Sequence, residues 1–329
     1  MKKLLILGGT AFVGRVVVEK LLRKKYDVTL FNRGKTNSNL FPKVKRILGN
    51  RETDDIKQIL DKDWDCVIDL SGFYPLTFNK LIDDLKGRVG RYIFVSTISV
   101  YDLDKYGDKY VSENIETLPC SDEQKEPKDM MITYGNKKAE CERILLSQDS
   151  FDKIIFRPSL IYGKYDYTDR FYYWLYKIMN QETILVPEST QSLSNYTYVD
   201  DFAKLIIEAI EIKKHSSVYN ATTHEPISFE NLLQTIIKLS GKEPNFVRAA
   251  QTFLEENNVT QWGDLPVWIT ANMTVDNSLL KHDFKTKLTP FENSIQEVMD
   301  IFNLESWHKT KSGMSEEREN ELIAKINVK

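Results

Sequence analysis

Cysteine and histidine are scarce in this chain of 329 residues. They are Cys66, Cys120, Cys141, His215, His224, His282 and His308. The cysteines have no paired spacing, so we expect no disulfide framework, and their low number indicates a reducing compartment. The histidines are too scattered to match the spacing of a zinc motif, and we therefore expect no metal site.

The chain also lacks a charge excess and a long apolar run. Its formal net charge is −3, which gives no electrostatic basis for binding nucleic acid. No apolar stretch approaches the ~20 residues of a membrane span, and the apolar run after Met1 stops at Gly8, too early for a signal peptide. We expect a cytoplasmic protein without nucleic-acid or membrane partners, long enough for one large or two ordinary domains.

A glycine-rich turn near the start of the chain joins an apolar run to a segment with helical spacing. The run ending at Leu7 predicts a buried strand, and residues 15–22 predict a helix. Such a helix points its free N–H groups and its positive dipole end at the turn, where a pyrophosphate is the usual occupant. The predicted cofactor-binding residues here are Gly8, Gly9, Thr10, Ala11, Phe12, Val13 and Gly14. The alternative is a turn that binds nothing.

The second predicted strand, residues 27–32, ends in Asn32 and is followed by Arg33 and Lys35. At this place in a Rossmann unit an acidic residue binds the ribose hydroxyls of NAD, whereas an arginine accommodates the 2′-phosphate of NADP. The acid is missing here, and a guanidinium suits a phosphate. We therefore expect NADP as the cofactor, with NAD as the alternative; an ordinary solvated turn remains a third interpretation.

Apolar strand patterns continue to alternate with helical patterns. Further strands are predicted at residues 44–48, 64–70, 91–95 and 154–158. This alternation predicts an α/β fold, a Rossmann doubly wound parallel sheet with right-handed crossovers. Ligands bind at the carboxyl ends of such strands, so small or polar residues there are predicted to contact the cofactor, with adenine near the first two: Gly49, Asn50, Ser71 and Gly72.

The character of the sequence changes after the sixth strand. We predict an NAD(P)-binding Rossmann domain over residues 1–162 and a smaller, mainly substrate-binding lobe over residues 163–329. A segment near residues 196–220 is predicted to return to the main sheet. The aromatic run Phe171-Tyr172-Tyr173-Trp174 is expected in the core of the lobe rather than as a platform for a sugar. Arg170 either binds a substrate phosphate or pairs with Asp166 or Asp169.

Three further residues complete a candidate catalytic group. Thr97 follows the fifth strand, and Tyr134 and Lys138 lie four residues apart in a predicted helix over residues 133–146. Residues at this spacing share one helix face. A phenol has an ordinary pKa of about 10, and a nearby ammonium favours its ionised form. The pair therefore predicts a tyrosine acid/base assisted by a lysine.

Taken together, these motifs resemble an extended short-chain dehydrogenase/reductase of the NAD(P)-dependent epimerase/dehydratase kind. The resemblance covers residues 2 to about 220, and the C-terminal third resembles a bacterial branch of that family. The motifs are Gly-Gly-Thr-Ala-Phe-Val-Gly, Val-Ser-Thr-Ile-Ser-Val-Tyr, Tyr-Gly-Asn-Lys-Lys, Arg-Pro-Ser-Leu-Ile-Tyr-Gly and Tyr-Val-Asp-Asp. Each is weak alone, but five in the family's order, each on the predicted element, are specific.

The resemblance assigns roles to individual residues. It implies that Tyr134 is the acid/base, that Lys138 holds the nicotinamide ribose and that Thr97 orients the reacting oxygen. It places Arg157, Pro158 and Ser159 at the nicotinamide end of the cofactor. It also implies a homodimer formed through two long helices.

The resemblance further implies a hydride transfer on a nucleotide-sugar or a similar hydroxyl or carbonyl substrate. Sugar dehydratases of the family commonly carry an Asp-Glu pair just after the threonine, where this chain has Ile98 and Ser99. Dehydration is therefore disfavoured, while epimerisation and net oxidation or reduction stay open. The alternative from another class is a protein that keeps the NAD(P) fold for an RNA-binding or regulatory role.

Overall fold

The computed structural model describes residues 1–107, 109–126 and 133–327. In these residues the strands, in chain order, are β1 (Lys3–Leu7), β2 (Asp27–Asn32), β3 (Lys45–Leu48), β4 (Trp64–Asp69), β5 (Val89–Val95), β6 (Asp152–Arg157), β7 (Leu160–Tyr162), β8 (Thr183–Pro187), β9 (Leu193–Ser194), β10 (Tyr196–Tyr198), β11 (Val218–Asn220), β12 (Ile227–Ser228) and β13 (Asn245–Ala249). Seven of them form one parallel sheet in the order β11-β6-β5-β4-β1-β2-β3.

Helices cover the sheet and build the rest of the described chain. They are α1 (Phe12–Arg23), α2 (Pro75–Asp84), α3 (Asp122–Lys125), α4 (Tyr134–Leu146), α5 (Tyr172–Asn180), α6 (Val199–Ala209), α7 (Phe229–Ser240), α8 (Gln251–Glu256), α9 (Ser278–Asp283), α10 (Phe291–Glu305) and α11 (Glu316–Asn327). Short 3₁₀ helices lie at Asp54–Asp61, Ile98–Val100 and Leu103–Lys105.

The two faces of the sheet are covered by different helix pairs. Leu4 and Ile6 point to the face covered by α1 and α6, whereas Leu5 and Leu7 point to the face covered by α2 and α4. Because neighbouring residues of a strand point to opposite faces, a strand buried on both sides needs an unbroken apolar run, as in β1. The predicted α/β fold, a Rossmann doubly wound parallel sheet, is confirmed.

The strand order reverses between β1 and β4, since β2 and β3 continue from β1 on one side and β4, β5 and β6 lie on the other. In doubly wound sheets the ligand crevice opens at this switch point, outside the carboxyl ends of the strands. The glycine turn after β1 and the residues after β4 and β5 therefore share one edge of the sheet.

A second hydrophobic core belongs to the C-terminal lobe. It is built mainly from α5, α7, α10, α11 and the paired strands β8 and β13. Phe171, Tyr173 and Trp174 are buried in it, as expected for core residues. Within residues 196–220, β10 pairs with β7, α6 packs on α1, and β11 joins the main sheet beside β6. Residues 328 and 329 of the predicted lobe lie outside the described residues.

Candidate functional site

The glycine turn leads directly from β1 into α1. Gly8 and Gly9 have φ angles of +111° and +95°, a region that favours glycine. Ala11 precedes α1 in an extended conformation, with φ −118° and ψ 153°, so alanine replaces the middle glycine of the pattern without strain. Its side chain has no atom that could accept a hydrogen bond, and the N–H groups in the first turn of α1 stay available for an anion.

Close packing explains why glycine recurs at the end of this turn. A Cβ atom added to Gly14 would lie 2.8 Å from Gly9 Cα and 2.9 Å from Gly9 N. A side chain at position 14 would therefore push α1 away from the turn. The missing side chains keep the helix terminus and the turn together, which is the arrangement that a dinucleotide pyrophosphate requires.

The segment after β2 folds back over the glycine turn. The Asn32 side chain donates to Gly8 O at 3.0 Å and accepts from Gly34 N at 3.0 Å, while Asn37 Nδ2 donates to Thr10 O at 2.9 Å. Asn32 is thus used to hold the turn. Arg33 and Lys35 are exposed, and no described residue forms a hydrogen bond or an ion pair with their charged groups. Asn37 was missed by the sequence analysis.

Gly49 and Asn50 form the turn after β3, as the sequence analysis placed them. Gly49 N donates to Asn32 O at 3.1 Å, which joins this turn to the end of β2. A Cβ on Gly49 would lie 2.7 Å from Asp55 Cβ, so only glycine fits. The residue that follows, Arg51, turns into the protein instead of toward solvent, and the sequence analysis did not single it out.

Arg51 and Asp69 form a buried ion pair between the ends of β3 and β4. Arg51 Nη1 lies 2.6 Å from Asp69 Oδ1 and donates to Ser71 Oγ at 3.1 Å. Burial opposes ionisation of Asp69, but the charge and hydrogen bonds of Arg51, with a further bond from Tyr92, hold its pKa below the ordinary value. The pair fixes the turn that begins at Ser71, whose Oγ also donates to Leu7 O at 3.3 Å. The turns after β1 and β4 are therefore tied together.

Lys138 reaches this turn from α4. Its Nζ donates to Gly72 O at 2.8 Å and to Val95 O at 2.7 Å, and the side chain is buried. Burial lowers the pKa of Lys138 to about 8. An ammonium group has three N–H donors, so these two carbonyls leave one unused; the ammonium also lies 4.0 Å from the centre of the Phe94 ring. A Cβ on Gly72 would lie 2.8 Å from the Phe94 ring, which explains the glycine there.

Tyr134 begins α4 and shares a helix face with Lys138. Burial raises the pKa of its phenol, while a hydrogen bond with Thr97 and the charge of Arg170 act in the opposite direction. From the sequence, Lys138 and the positive charge of the oxidised nicotinamide are together predicted to lower this pKa. In the structure the ammonium of Lys138 is bonded to two backbone carbonyls, and the charge that acts on the phenol comes from Arg170.

Thr97 serves both the backbone and the candidate acid/base. Its Oγ1 accepts from Ser99 N at 3.1 Å, which caps the 3₁₀ helix Ile98–Val100, and donates to Ser99 Oγ at 3.1 Å. The same hydroxyl lies beside the Tyr134 phenol, whose pKa it lowers. Gly135 lets α4 approach this segment, because a Cβ there would lie 2.0 Å from Ser99 O. The structure therefore brings Thr97, Tyr134 and Lys138 together at the carboxyl edge of β4 and β5.

Arg157, Pro158 and Ser159 have their polar groups bonded within the protein. Arg157 is buried, pairs with Glu142 through Nε at 3.0 and 3.1 Å, and donates to the Tyr101 hydroxyl at 2.6 Å. Pro158 O accepts from Ile98 N at 3.0 Å, and Ser159 Oγ donates to Asn195 O at 2.6 Å. The guanidinium of Arg157 is thus used by a structural ion pair. The placement of Arg157, Pro158 and Ser159 at the nicotinamide end, which the family resemblance implies, stays a prediction for the remaining atoms of these residues.

The fold and the site together define a Rossmann-type nucleotide-binding protein with a Tyr-x-x-x-Lys helix at its switch point. The chain belongs to the NAD dependent epimerase/dehydratase family, whose sequence pattern matches residues 4–222. In the described residues no cluster of three or more His, Cys, Asp or Glu side chains is arranged to hold a metal ion, and no helix is long and apolar enough to cross a membrane.

A curated relative and two solved structures illustrate the similarity. The chain is 26% identical over 264 residues to the chloroplast stem-loop binding protein of 41 kDa b of Arabidopsis thaliana, a match over 75% of this chain and 65% of that protein. This chain therefore spans less than two thirds of that relative's length.

Both solved structures share the fold at low sequence identity. A dTDP-glucose 4,6-dehydratase from Bacillus anthracis, in complex with NAD, has a TM-score of 0.71 and 16% identity over 93% of this chain and 98% of that one. A UDP-glucuronic acid 4-epimerase from Bacillus cereus, in complex with a fluorinated UDP-glucuronic acid and NAD, has a TM-score of 0.70 and 19% identity. The match covers 92% of this chain and 99% of that one.

Proposed function

We propose that this protein is an NAD(P)-dependent epimerase or reductase that acts on a hydroxyl or carbonyl carbon of a nucleotide-sugar. The observation that carries the proposal is the meeting of Thr97, Tyr134 and Lys138 at the edge of the sheet that also bears the glycine turn. A cytoplasmic location and a homodimer, which the sequence and the family resemblance imply, belong to the same proposal.

The residues fit a dinucleotide at its pyrophosphate and at its nicotinamide ribose. The uncapped first turn of α1 receives the pyrophosphate, with Gly8 and Gly9 allowing close approach of the backbone. The remaining N–H of Lys138 donates to the nicotinamide ribose. When bound, the nicotinamide supplies a hydride acceptor or donor beside Tyr134.

The protein's own part in the reaction is proton transfer and orientation. The Tyr134 phenol gives its proton to the oxygen of the reacting carbon in the reducing direction, and its phenolate takes a proton from that oxygen in the oxidising direction. The Thr97 hydroxyl, which lies beside Tyr134, holds that oxygen in place. Burial disfavours the charged phenolate, so a positive charge near the phenol is needed for Tyr134 to act as a base.

Dehydration is disfavoured because no carboxylate follows Thr97. Ile98 is buried there, and Ser99 Oγ accepts a hydrogen bond from Thr97 Oγ1 at 3.1 Å. Removal of water from a sugar needs a further acid and base near the ring. Epimerisation and net oxidation or reduction need only Thr97, Tyr134 and Lys138 beside the cofactor.

A panel assay tests this function. The protein is incubated with NAD⁺ or NADP⁺ and a set of nucleotide-sugars, and products are separated by chromatography while cofactor absorbance is followed. The proposal expects an epimer, or a reduced cofactor with an oxidised sugar, from at least one member. Water loss from the sugar would contradict the expectation that dehydration is disfavoured, and no turnover of any member would contradict the proposed substrate class.

The relative that binds a chloroplast stem-loop favours RNA binding as a second candidate function. A net charge of −3 argues against it, because phosphate contacts need a basic surface. Retention on heparin at moderate salt, lost steeply as salt rises, would support RNA binding, whereas elution in the void volume would count against it.

NADP is the proposed cofactor, with Arg33 as the partner of its 2′-phosphate. A charge-assisted hydrogen bond is worth about 1.5–3 kcal/mol, so we expect Arg33→Ala to weaken NADPH binding roughly 10-fold or more. NADH binding is expected to stay unchanged. Titration of both cofactors measures this.

Arg23→Ala is the matched control for Arg33→Ala. Arg23 is an exposed arginine at the far end of α1 and is expected to leave both affinities unchanged. Tighter binding of NADH than of NADPH by the unmodified protein, or an unaltered NADPH affinity in Arg33→Ala, would contradict the assignment of the 2′-phosphate site.

A further inference from the structure

Residues 163–171, here called the crossing loop, connect β7 to α5 and are anchored on both domains. On the Rossmann side, the Tyr165 hydroxyl donates to Glu19 at 3.0 Å and the Arg15 guanidinium lies 3.5 Å from the centre of the Tyr165 ring. On the lobe side, Ser312 Oγ donates to Thr168 O at 2.6 Å. The loop is therefore fixed beside the first turns of α1.

The backbone of the crossing loop is held in an uncommon conformation. Tyr165 and Asp169 have φ angles of +68° and +56°, in the left-handed region that non-glycine residues seldom adopt. Such residues persist where the surroundings over-determine them. Asp169 is held in this way, since it is buried and its carboxylate accepts from Lys311 N at 3.1 Å.

Arg170 lies at the end of this loop and has no ion-pair partner in the described chain. Its Nε donates to Thr168 Oγ1 at 3.3 Å, and no described residue accepts from Nη1 or Nη2. Neither carboxylate that the sequence analysis considered pairs with it: Asp169 faces Lys311 and His308, and Asp166 accepts from Thr168. Four of the five donors of the guanidinium therefore remain.

Arg170 also lies within electrostatic range of Tyr134. The side chain is half-buried, and its charge acts on the Tyr134 phenol. A planar guanidinium with a free pair of Nη groups binds a carboxylate or a phosphate through two parallel hydrogen bonds. The Asp166 carboxylate lies within range of the charge of Arg170, but no hydrogen bond or ion pair joins the two, so the Nη groups are unoccupied by described residues.

We propose that Arg170 binds an anionic group of the substrate, a carboxylate or a phosphate, next to Tyr134. This inference rests on the proposed function and narrows its substrate class. A neutral sugar attached to a nucleotide brings only the phosphates to this position, whereas a sugar acid also brings a carboxylate beside the reacting carbon.

Calorimetry with UDP-glucuronic acid and UDP-glucose on the cofactor-loaded protein distinguishes the two sources. Arg170→Gln removes the charge, and Arg170→Lys keeps the charge without the planar fork. Loss of a charged hydrogen-bond pair is expected to weaken binding roughly 10-fold or more. If the partner is a sugar carboxylate, only UDP-glucuronic acid binds more weakly to Arg170→Gln; if it is a phosphate, both ligands do. Arg170→Lys recovers part of the loss.

Arg88→Gln is the matched control, because Arg88 is an exposed arginine at the opposite edge of the sheet, next to the start of β5. It is expected to bind both ligands as the unmodified protein does. Equal thermal midpoints of the variants exclude misfolding. Unchanged affinity of Arg170→Gln for both ligands overturns the inference.

Inorganic phosphate is the probe if the unmodified protein binds neither UDP-sugar. That result counts against the nucleotide-sugar part of the proposed function and leaves the anion site to be judged separately. Phosphate binding to the cofactor-loaded protein that Arg170→Gln weakens roughly 10-fold then supports the inference. No phosphate binding, or equal binding by Arg170→Gln and Arg88→Gln, overturns it.

Discussion

Tyr134→Phe is expected to lower kcat by about 10²–10⁴-fold, the usual contribution of a positioned acid or base. The substitution removes only the hydroxyl, and the ring contact with Phe73, whose centroid lies 6.2 Å away, is kept. The fold and the cofactor site therefore stay intact, while the proton has no group to leave from or return to. The loss is measured as kcat on the substrate found in the panel assay, with KM followed in parallel.

Tyr26→Phe controls for the loss of a tyrosine hydroxyl elsewhere. The Tyr26 hydroxyl bonds with Glu211 at 3.2 Å just before β2, away from the carboxyl edge of the sheet. Its removal is expected to leave kcat unchanged. A Tyr134→Phe variant as active as the Tyr26→Phe variant would remove Tyr134 from the mechanism.

Glu142→Ala is expected to lower the free energy of unfolding by about 3–5 kcal/mol. Glu142 and Arg157 are both buried, and their side chains form an ion pair. Arg157 also donates a hydrogen bond to the Tyr101 hydroxyl. Removing the carboxylate leaves a guanidinium charge buried without its counter-ion, which costs far more than the pair itself contributes. Urea unfolding of the variant and of the unmodified protein measures the difference.

The double variant Glu142→Leu, Arg157→Met separates a structural ion pair from a cofactor contact. Apolar residues of similar size are often neutral in place of a buried pair, so stability is expected to return close to that of the unmodified protein. Cofactor affinity is expected to be unchanged. Weaker cofactor binding by a stable double variant would show that the Arg157 guanidinium does contribute to cofactor binding.

The main sheet was predictable because its strands carry a strong local signal. β1, β2, β4 and β5 carry runs of buried, mostly apolar residues, and helices separate β1, β4 and β5 from the strand that follows each. The lobe was harder, since its strands are short. β9 covers only Leu193–Ser194 and β12 only Ile227–Ser228, and pairs of that length have no periodicity to detect.

Parts of the site encoded in one segment were also predictable. The glycine turn and the Tyr134–Lys138 pair depend on spacings of a few residues, which a sequence displays directly. Long-range partners were not predictable. Arg51 meets Asp69 across 18 residues, and Asn37 meets Thr10 across 27, through contacts that exist only after the sheet has formed.

Arg157 and Arg170 show in two different ways that the sequence does not predict the partners of a side chain. Arg157 stood in a family motif and was assigned to the cofactor, yet its guanidinium is paired with Glu142. Arg170 had two acidic neighbours in sequence and was left open, yet neither carboxylate pairs with it in the structure. The direction in which a side chain leaves a loop is set by tertiary contacts, and a list of neighbours in sequence does not give it.

The most direct test of the central claim is a spectroscopic titration of the Tyr134 phenol. Difference absorbance between the unmodified protein and Tyr134→Phe isolates this one group, with no cofactor, with oxidised cofactor and with reduced cofactor. We predict a pKa above the ordinary value without cofactor, because burial disfavours the phenolate. Oxidised cofactor is predicted to lower it through its positive ring, and reduced cofactor is not. A phenol whose pKa is the same with both cofactor forms would contradict the proposed catalyst.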